Sequence, residues 1–272
     1  MIIAVFNQAG GVGKTTLTRD LGFELAQRGL RILLIDSDPQ GTLGLFYGES
    51  PAARSSEDLF WKVVCSVSAS DDTHPPIVKT RFGVDLGLAN RTLTEDELTL
   101  HRQQDQARLV GYMDALRERY DLILVDCSPK ISEIVLQVLI AVDALLVPVQ
   151  TEAKAVAAFA EVQHEIARTQ ARRRNMRFPP IKVLGVVPTL FSPRLVLHRH
   201  HLQELTSDIC ASFQYAALTP IRDYVAVSEA GTQGMPLKAY APECQANQDV
   251  AAVADEVMRF CGLKAIREVA NG

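Results

Sequence analysis

The sequence predicts an α/β protein built on a doubly wound, mostly parallel sheet with helices on both faces. Short apolar runs alternate with longer segments of helical periodicity along the 272-residue chain. Two of the runs, 32–35 and 122–125, are apolar at every position, which is typical of parallel strands buried on both faces. Because parallel strands need crossover connections, this alternation of strand and helix favours right-handed crossovers within one sheet.

The same pattern places the individual elements. Strands are expected at 2–6, 31–35, 83–89, 121–125, 143–149 and 181–187. Helices are expected at 14–28, 105–119, 131–141, 154–173, 195–212 and 246–261. The sequence contains neither an internal repeat nor a long linker, so residues 1–272 are predicted to form a single domain. The stretch from about 50 to 80 has Ser, Asp, Thr and Pro clustered near its end and is expected to be an irregular insertion or mobile loop.

Composition narrows the classes of protein to consider. Hydrophobic residues make up 47% and charged residues 22%, which is ordinary for a soluble globular protein. No apolar run is long enough to predict a membrane span. The five dispersed cysteines contain no C-x-x-C pair, which favours reduced thiols in a cytoplasm over a disulfide framework or a zinc site. The net charge of −4 means that any contact with DNA would need a local basic patch.

A glycine-rich segment follows the first strand and opens the first helix. Residues 7–16 read N-Q-A-G-G-V-G-K-T-T, and glycines allow backbone N–H groups to turn inward around phosphate oxygens at a helix N-terminus. Lys14 is expected to reach the β- and γ-phosphates, Thr15 to bind Mg²⁺ and Thr16 to meet the α-phosphate. The predicted phosphate-binding residues are Ala9, Gly10, Gly11, Val12, Gly13, Lys14, Thr15 and Thr16. The segment therefore predicts a P-loop nucleoside triphosphatase, although Gln8 stands where the usual pattern has its first glycine.

Aspartates follow two of the predicted strands. Asp36 and Asp38 follow the second strand, and Asp126 follows a later one. Ligands of open α/β sheets bind at the carboxyl ends of the strands, so Asp36 and Asp126 are predicted to join Thr15 around Mg²⁺, Asp126 through water or from a second shell. Asp38 is predicted to orient or deprotonate an attacking water. The alternative is that these aspartates cap helices or turns.

Together these motifs resemble the ParA/MinD family, the ATPases with a deviant Walker A box. The family's K-G-G-x-G-K-T-T, D-x-D-P-Q and D-x-P-P correspond to 9–16, 36–40 and 126–129, and 221–237 is similar to its plasmid and chromosome partition branch. The resemblance implies ATP and Mg²⁺ as cofactors, an ATP-sandwich homodimer, binding to DNA without sequence preference, and slow hydrolysis that an adaptor protein on a cargo stimulates. It also implies a cytoplasmic protein that sits on the nucleoid when ATP is bound.

One position departs from the family pattern. The family's first loop lysine, which neutralises phosphate charge across the dimer interface, is Ala9 here. Lys154, just past the carboxyl end of the strand 143–149, is the predicted substitute and would act in trans; the alternative is a solvated lysine in the first turn of a helix. A lysine moved to this half of the chain resembles the carboxysome-positioning ATPases called McdA. A carboxysome is therefore a candidate cargo, and a plasmid or chromosome locus is the alternative.

The resemblance also suggests contacts with DNA and with the base. Arg194, Arg199 and Arg222 are expected to contact DNA backbone, and Thr189 and Pro242 are expected near the adenine. The arginines at 172–174 and 177 are expected either to be solvated at a helix end or to contact DNA. The tail 262–269 is expected to pack against the body or fray, rather than bind a membrane. Other functions left open are a non-hydrolysing nucleotide-dependent scaffold, a metal-cluster carrier, and a membrane-bound division regulator.

Overall fold

The computed structural model describes residues 1–50, 52, 54–55, 58–66, 75–103 and 108–265. Its strands form one seven-stranded sheet: β1 (Ile2–Val5), β2 (Ile32–Asp36), β3 (Val78–Lys79), β4 (Asp85–Gly87), β5 (Leu122–Asp126), β6 (Ala144–Gln150) and β7 (Lys182–Thr189). Across the sheet the order is β3-β4-β2-β5-β1-β6-β7. All neighbouring strands are parallel except β3 and β4, so the predicted doubly wound, mostly parallel sheet is confirmed.

Helices cover both faces of this sheet. In the described residues they are α1 (Lys14–Gln27), α2 (Thr42–Leu45), α3 (Phe60–Cys65), α4 (Leu93–Gln103), α5 (Arg108–Arg117), α6 (Glu133–Ala141), α7 (Ala155–Asn175), α8 (Val196–Gln203), α9 (Ala211–Phe213), α10 (Val225–Thr232), α11 (Leu237–Tyr240) and α12 (Ala246–Cys261). A π-helical segment, Glu204–Cys210, joins α8 to α9. None of these helices is both long and apolar enough to cross a membrane.

The structure contains several helices and one strand that the sequence did not predict. All six predicted strands are present, although the one expected at 83–89 narrows to Asp85–Gly87. Strand β3 was missed because it has two residues and pairs antiparallel only with β4. The helix expected at 195–212 is interrupted by π-helical turns, and α2, α3, α4, α10 and α11 were not predicted. Most of these helices have only one or two turns, which give too few residues for a periodic pattern; α4 has 11 residues and was missed all the same.

The described part of the region 50–80 is more ordered than expected. It contains α3 and β3, and Phe60 and Trp61 of α3 are almost fully buried in the core. The expectation of an irregular insertion was therefore wrong for these residues, because their apolar side chains pack on the sheet. Residues 51, 53, 56–57 and 67–74 lie outside the described part, as do 104–107 and 266–272, which include the end of the predicted tail 262–269.

Two hydrophobic cores lie on the two faces of the sheet, with strand residues alternating between them. Ile2 and Ala4 of β1 belong to the core beneath α3, α5, α6 and α7, whereas Ile3 and Val5 belong to the core beneath α1 and α12. Helix α1 lies very close to β2, since a Cβ built on Gly22 would come within 2.6 Å of a Leu34 methyl carbon. This close packing fixes the middle of α1 against the sheet.

The Gly22→Ala variant should therefore be less stable, even though alanine is the better helix former. Overpacking against Leu34 should cost about 1–3 kcal/mol, which exceeds the helix-propensity gain of about 1 kcal/mol. Gly111 is the matched control, because it also lies inside a helix, α5, and nothing lies within 4 Å of a Cβ built there. In urea unfolding, Gly111→Ala should gain stability; a gain in Gly22→Ala would contradict the packing.

Candidate nucleotide-binding site

The loop between β1 and α1 is held open at the carboxyl edge of the sheet. Asn7 fixes its start, since its side-chain amide donates to the Pro148 carbonyl (2.7 Å) and its side-chain oxygen accepts the Ala9 N–H (2.8 Å). Gly11 and Gly13 adopt left-handed φ angles of 74° and 84°, which glycine adopts without steric cost. A Cβ built on Gly10 or Gly11 would meet nothing within 4 Å. The loop is therefore an open cradle of backbone at the N-terminus of α1, where an anion is favoured.

Lys14 folds back across this cradle. Its ammonium donates to the Ala9 carbonyl at 2.7 Å, and the residue is buried. Burial lowers the pKa of Lys14, while the nearby Asp126, Cys127 and Asp38 oppose that shift. The lysine thus places a partly desolvated positive charge at the centre of the loop, where it can pair with phosphate.

Asp126, at the end of β5, faces the same cradle from below. It is 1% exposed, and neither carboxylate oxygen has a hydrogen-bond partner among the described residues. Burial raises the pKa of Asp126 to about 7. The Thr15 hydroxyl, the charge of Lys14 and the Thr18 hydroxyl act to lower this pKa, although neither hydroxyl forms a hydrogen bond of ordinary geometry with the carboxylate. A buried carboxylate without donors is costly unless a cation or water pairs with it.

These groups fit a hydrated magnesium ion bound to phosphate. Mg²⁺ prefers carboxylate, hydroxyl, water and phosphate oxygens, and Asp126 and Thr15 could supply a carboxylate and a hydroxyl. In the described part of the chain no three His, Cys, Asp or Glu side chains cluster in a way that would hold a metal by themselves. A cation here would therefore take most of its ligands from a nucleotide and from water.

Asp36 organises the turn that follows β2. Its two carboxylate oxygens accept the N–H groups of Asp38 (2.9 Å) and Leu43 (3.0 Å). Burial, followed by the charge of Asp126, raises its pKa, and the two aspartates are register partners across β2 and β5. Asp36 thus takes the turn-forming role that was the alternative for these aspartates, and its place around Mg²⁺ stays a prediction.

Asp38 lies on this turn, half-buried at the edge of the cradle. One of its oxygens accepts the Gln40 N–H at 2.9 Å, and its charge is close enough to act on both Lys14 and Asp126. The structure therefore brings Asp38 together with the predicted phosphate and magnesium residues. Its role towards an attacking water stays a prediction.

A cavity of about 820 Å³ extends from the loop past Thr16. Its wall includes Gly11, Gly13, Thr189, residues 221–223, parts of α2 and α12, and most of 227–234. Thr189 donates to the Val12 carbonyl at 2.9 Å, so it supports the loop as well as lining the cavity. Pro242 is not among the residues of this wall, and its carbonyl accepts the Asn247 side chain; its place near the adenine stays a prediction. The contribution of α2 and α10 was missed, because no motif marks short apolar helices that line a cavity.

Arg222, a predicted DNA contact, pairs with an acidic residue of α12. Its guanidinium forms two hydrogen bonds with the Asp249 carboxylate, at 2.8 and 2.7 Å, and lies against Gln245 and the Tyr224 ring. The hydrogen bonds to Asp249 raise its pKa, and the residue lines the cavity. Arg222 therefore ties the segment after β7 to α12, and its contact with DNA stays a prediction.

Arg194 and Arg199 are exposed, as a role in DNA contact requires. Arg199 donates to the Pro193 carbonyl at 2.7 Å, which holds it at the start of α8. His198 ties α8 to the site, because its Nδ1 accepts the Ser192 N–H at 3.1 Å and lies 3.3 Å from the Thr151 hydroxyl. These two arginines thus lie on a helix start beside the β6–α7 loop.

The arginines at the end of α7 do not act as one patch. Arg173 is 5% exposed and donates to the carbonyls of Leu139, Ile140 and Val142 at the end of α6. Arg172 pairs with the buried Glu165 at 3.0 Å. Arg174 and Arg177 line a surface cleft with Phe178 and two prolines. The expectation of a solvated helix end was therefore wrong for Arg173, which caps α6.

Lys154 is exposed immediately before α7. Four residues earlier, the Gln150 side chain donates to the Gly11 carbonyl at 3.1 Å, and the Thr151 N–H donates to the Thr189 carbonyl at 3.3 Å. The loop that carries Lys154 therefore contacts the phosphate cradle. Its action in trans stays a prediction.

Comparison with known proteins agrees with this geometry. A family described as "AAA domain" matches residues 1–178. The chromosome partitioning protein ParA of Caulobacter vibrioides is 32% identical over 94% of this chain and 93% of its own. Cobyrinic acid a,c-diamide synthase of Mycobacterium smegmatis, solved with ADP and magnesium, is 26% identical with a TM-score of 0.76, covering 95% and 94% of the two chains. A complex of Cyanothece McdA with ATP, 20% identical, shares the fold with a TM-score of 0.80 over 98% of both chains.

The sheet order, the open glycine loop and the lysine and aspartate at its base define a P-loop nucleotide-binding protein. The 32% sequence identity to the partition protein ParA, which extends over nearly the whole chain, identifies the family within this class. The chain belongs to the ParA family of P-loop ATPases, a family of partition proteins.

The Asp126 carboxyl should make the stability of the ligand-free protein depend on pH. With its pKa raised to about 7, the folded protein holds a proton that the unfolded chain releases between about pH 4 and 7. The free energy of unfolding should therefore fall as pH rises through that window, by up to about 1.4 kcal/mol per unit for one proton. Urea unfolding at several pH values, without nucleotide or magnesium, should give a flatter profile for Asp126→Asn; an unchanged slope would contradict the assignment.

Proposed function

We propose that this protein is an ATP-switched positioning ATPase: ATP and Mg²⁺ bind the P-loop, two copies close over the nucleotides, and the dimer binds DNA without sequence preference. The single observation that carries the nucleotide part is the buried Asp126 carboxylate without a partner, next to Thr15 and Lys14. Such a carboxylate is accounted for by a cation that arrives with a polyphosphate. The cobyrinic acid a,c-diamide synthase of M. smegmatis was solved with ADP and magnesium, which supports a nucleotide and magnesium as the ligands of this site.

Each group of site residues has a separate role in ATP hydrolysis. The loop amides of 9–16 and Lys14 bind the phosphates, Thr15 and Asp126 hold magnesium, and Asp38 orients or deprotonates the attacking water. Magnesium neutralises charge on the phosphate oxygens when it is bound. No arginine side chain lies among the residues named around the cradle, so hydrolysis is slow until an adaptor protein on the cargo stimulates it. A non-hydrolysing scaffold is the second candidate because of Ala9; release of phosphate from ATP separates it from the lead.

Closure of the dimer needs a cation that crosses between protomers. Two nucleotides facing each other in a partly dry interface repel strongly at short range, and Ala9 supplies no charge. Lys154 is exposed on the loop that contacts the cradle, and its side chain has no ion-pair partner in the described part of the chain. It therefore neutralises the partner's phosphates, as proposed from the sequence.

Removing Lys154 should weaken the dimer without weakening nucleotide binding to one protomer. Lys154→Ala should reduce ATP-dependent dimerisation at least tenfold, measured by light scattering, while calorimetry shows ATP affinity of the monomer within about twofold. Lys182→Ala is the matched control, because Lys182 is also exposed but lies at the opposite end of the sheet, at the start of β7. Dimerisation of Lys154→Ala at the control's level would exclude a role in trans.

The DNA-binding surface is proposed to include Arg194 and Arg199. Contacts with DNA phosphates release counterions, so the logarithm of affinity falls with the logarithm of salt by about 0.9 per contact. The double variant Arg194→Ala/Arg199→Ala should bind random duplex with ATP at least tenfold more weakly and reduce the salt slope by about 2. The control is Arg174→Ala/Arg177→Ala at the far end of α7; if only the control loses binding, DNA contacts the other end of the molecule.

The proposal of a cargo rests on similarity to other family members and not on the geometry of the site. A carboxysome is proposed because Ala9 and Lys154 together resemble McdA, and the fold of Cyanothece McdA is shared over almost the full length. A plasmid or chromosome locus is the alternative, supported by the similarity to Caulobacter ParA. In either case the protein is proposed to work in the cytoplasm and on the nucleoid.

A further inference from the structure

The carbonyl oxygen of Asp36 has no partner within the sheet. The Ser37 N–H donates to the Asp126 carbonyl of β5, and backbone groups alternate direction along a strand, so the Asp36 carbonyl points to the opposite side, towards β4. The register of β2 with β4 ends at Ile35 and Gly87. The carbonyl thus lies one residue beyond the last strand partner, at the base of the Asp36–Asp38 turn.

Trp61 supplies the missing donor. Its indole N–H donates to the Asp36 carbonyl at 2.6 Å, and the side chain is 1% exposed. The indole approaches from α3, the helix that the sequence did not predict. A buried backbone carbonyl that loses its donor carries the full cost of desolvation, so this hydrogen bond holds the end of β2 in one position.

Helix α3 is itself fixed on β4. The Phe60 N–H donates to the Leu88 carbonyl at 3.1 Å, and the Phe60 ring lies where a Cβ of Gly87 would otherwise be, within 2.8 Å of that point. The Phe60 and Trp61 rings pack edge to face with centroids 5.4 Å apart. The absence of a side chain at Gly87 therefore allows α3 close enough for Trp61 to reach Asp36.

From Asp36 the constraint passes to Asp38. One Asp36 carboxylate oxygen accepts the Asp38 N–H and the other accepts the Leu43 N–H, so the position of the Asp36 backbone decides where the whole turn lies. Misplacement of a catalytic group by about 1 Å can cost about 100-fold in rate. Asp38 is the group on this turn with a proposed role towards water.

We propose that Trp61 is a positioning residue for ATP hydrolysis, which acts by holding the Asp36 carbonyl and thereby the Asp38 carboxylate. This inference rests on the proposed function of Asp38. Because Trp61 is not among the residues that line the cavity and its indole N–H donates to the Asp36 carbonyl, we expect it to affect turnover and not nucleotide affinity.

The test compares Trp61→Phe with Tyr120→Phe. Both residues are buried and each donates one side-chain hydrogen bond, but the Tyr120 hydroxyl donates to Asp85, at the amino-terminal end of β4 and far from the site. At saturating MgATP with random duplex present, kcat of Trp61→Phe should fall about tenfold relative to Tyr120→Phe. The Kd for a fluorescent ATP analogue should stay within about twofold in both.

The sole tryptophan of the chain permits a single-atom version of this test. Benzothienylalanine, which replaces the indole N–H by sulfur, should reproduce the loss in kcat, whereas 7-azatryptophan, which keeps the N–H, should retain wild-type turnover. A kcat for Trp61→Phe within twofold of Tyr120→Phe, or equal losses of kcat and affinity, would overturn the inference. Wild-type protein that releases no phosphate, or full activity in Asp38→Ala, would instead overturn the proposed function on which it rests.

Discussion

The structure depends on the register of three parallel strands, β1, β2 and β5. This register places Asp36 and Asp126 side by side at one edge of the sheet, directly below the glycine loop that leaves β1. Both carboxyls are buried, and burial raises the pKa of each. Two desolvated carboxyls at this spacing are unfavourable by themselves. Lys14, the Thr15 hydroxyl and a magnesium ion with its phosphates are the groups that can relieve this cost, which explains why binding chemistry is concentrated here.

The two buried aspartate carboxyls differ in how their desolvation is compensated. Asp36 binds two backbone N–H groups of the next turn, so its carboxylate contributes to the shape of the site. Asp126 has no hydrogen-bond partner among the described residues, so its carboxylate remains available for a cation. Equivalent positions at adjacent strand ends therefore differ in which carboxylate oxygens the backbone already occupies, and the role of Asp126 in binding a cation stays a prediction.

The helices outside the sequence motifs complete the site. α3 reaches the end of β2 through Trp61, and α10 and α12 form the far wall of the cavity together with Arg222. Arg222 is fixed by Asp249, so this basic residue of the segment after β7 stabilises the wall of the cavity. Local motifs bind phosphate, while packing from distant parts of the chain decides the shape around it.

The sheet, the glycine loop and the aspartates at the strand ends could all be predicted from the sequence. Short continuous apolar runs between helical segments are typical of buried parallel strands, and glycines such as Gly11 and Gly13 adopt left-handed angles without steric cost. The folded structure was needed to show that Asp36 binds its own turn, that Arg222 pairs with Asp249, that Arg173 caps α6 and that α3 is a buried helix. These outcomes depend on contacts between residues up to 34 positions apart or across different helices, and neither periodicity nor spacing along a chain encodes which donor a given oxygen will meet.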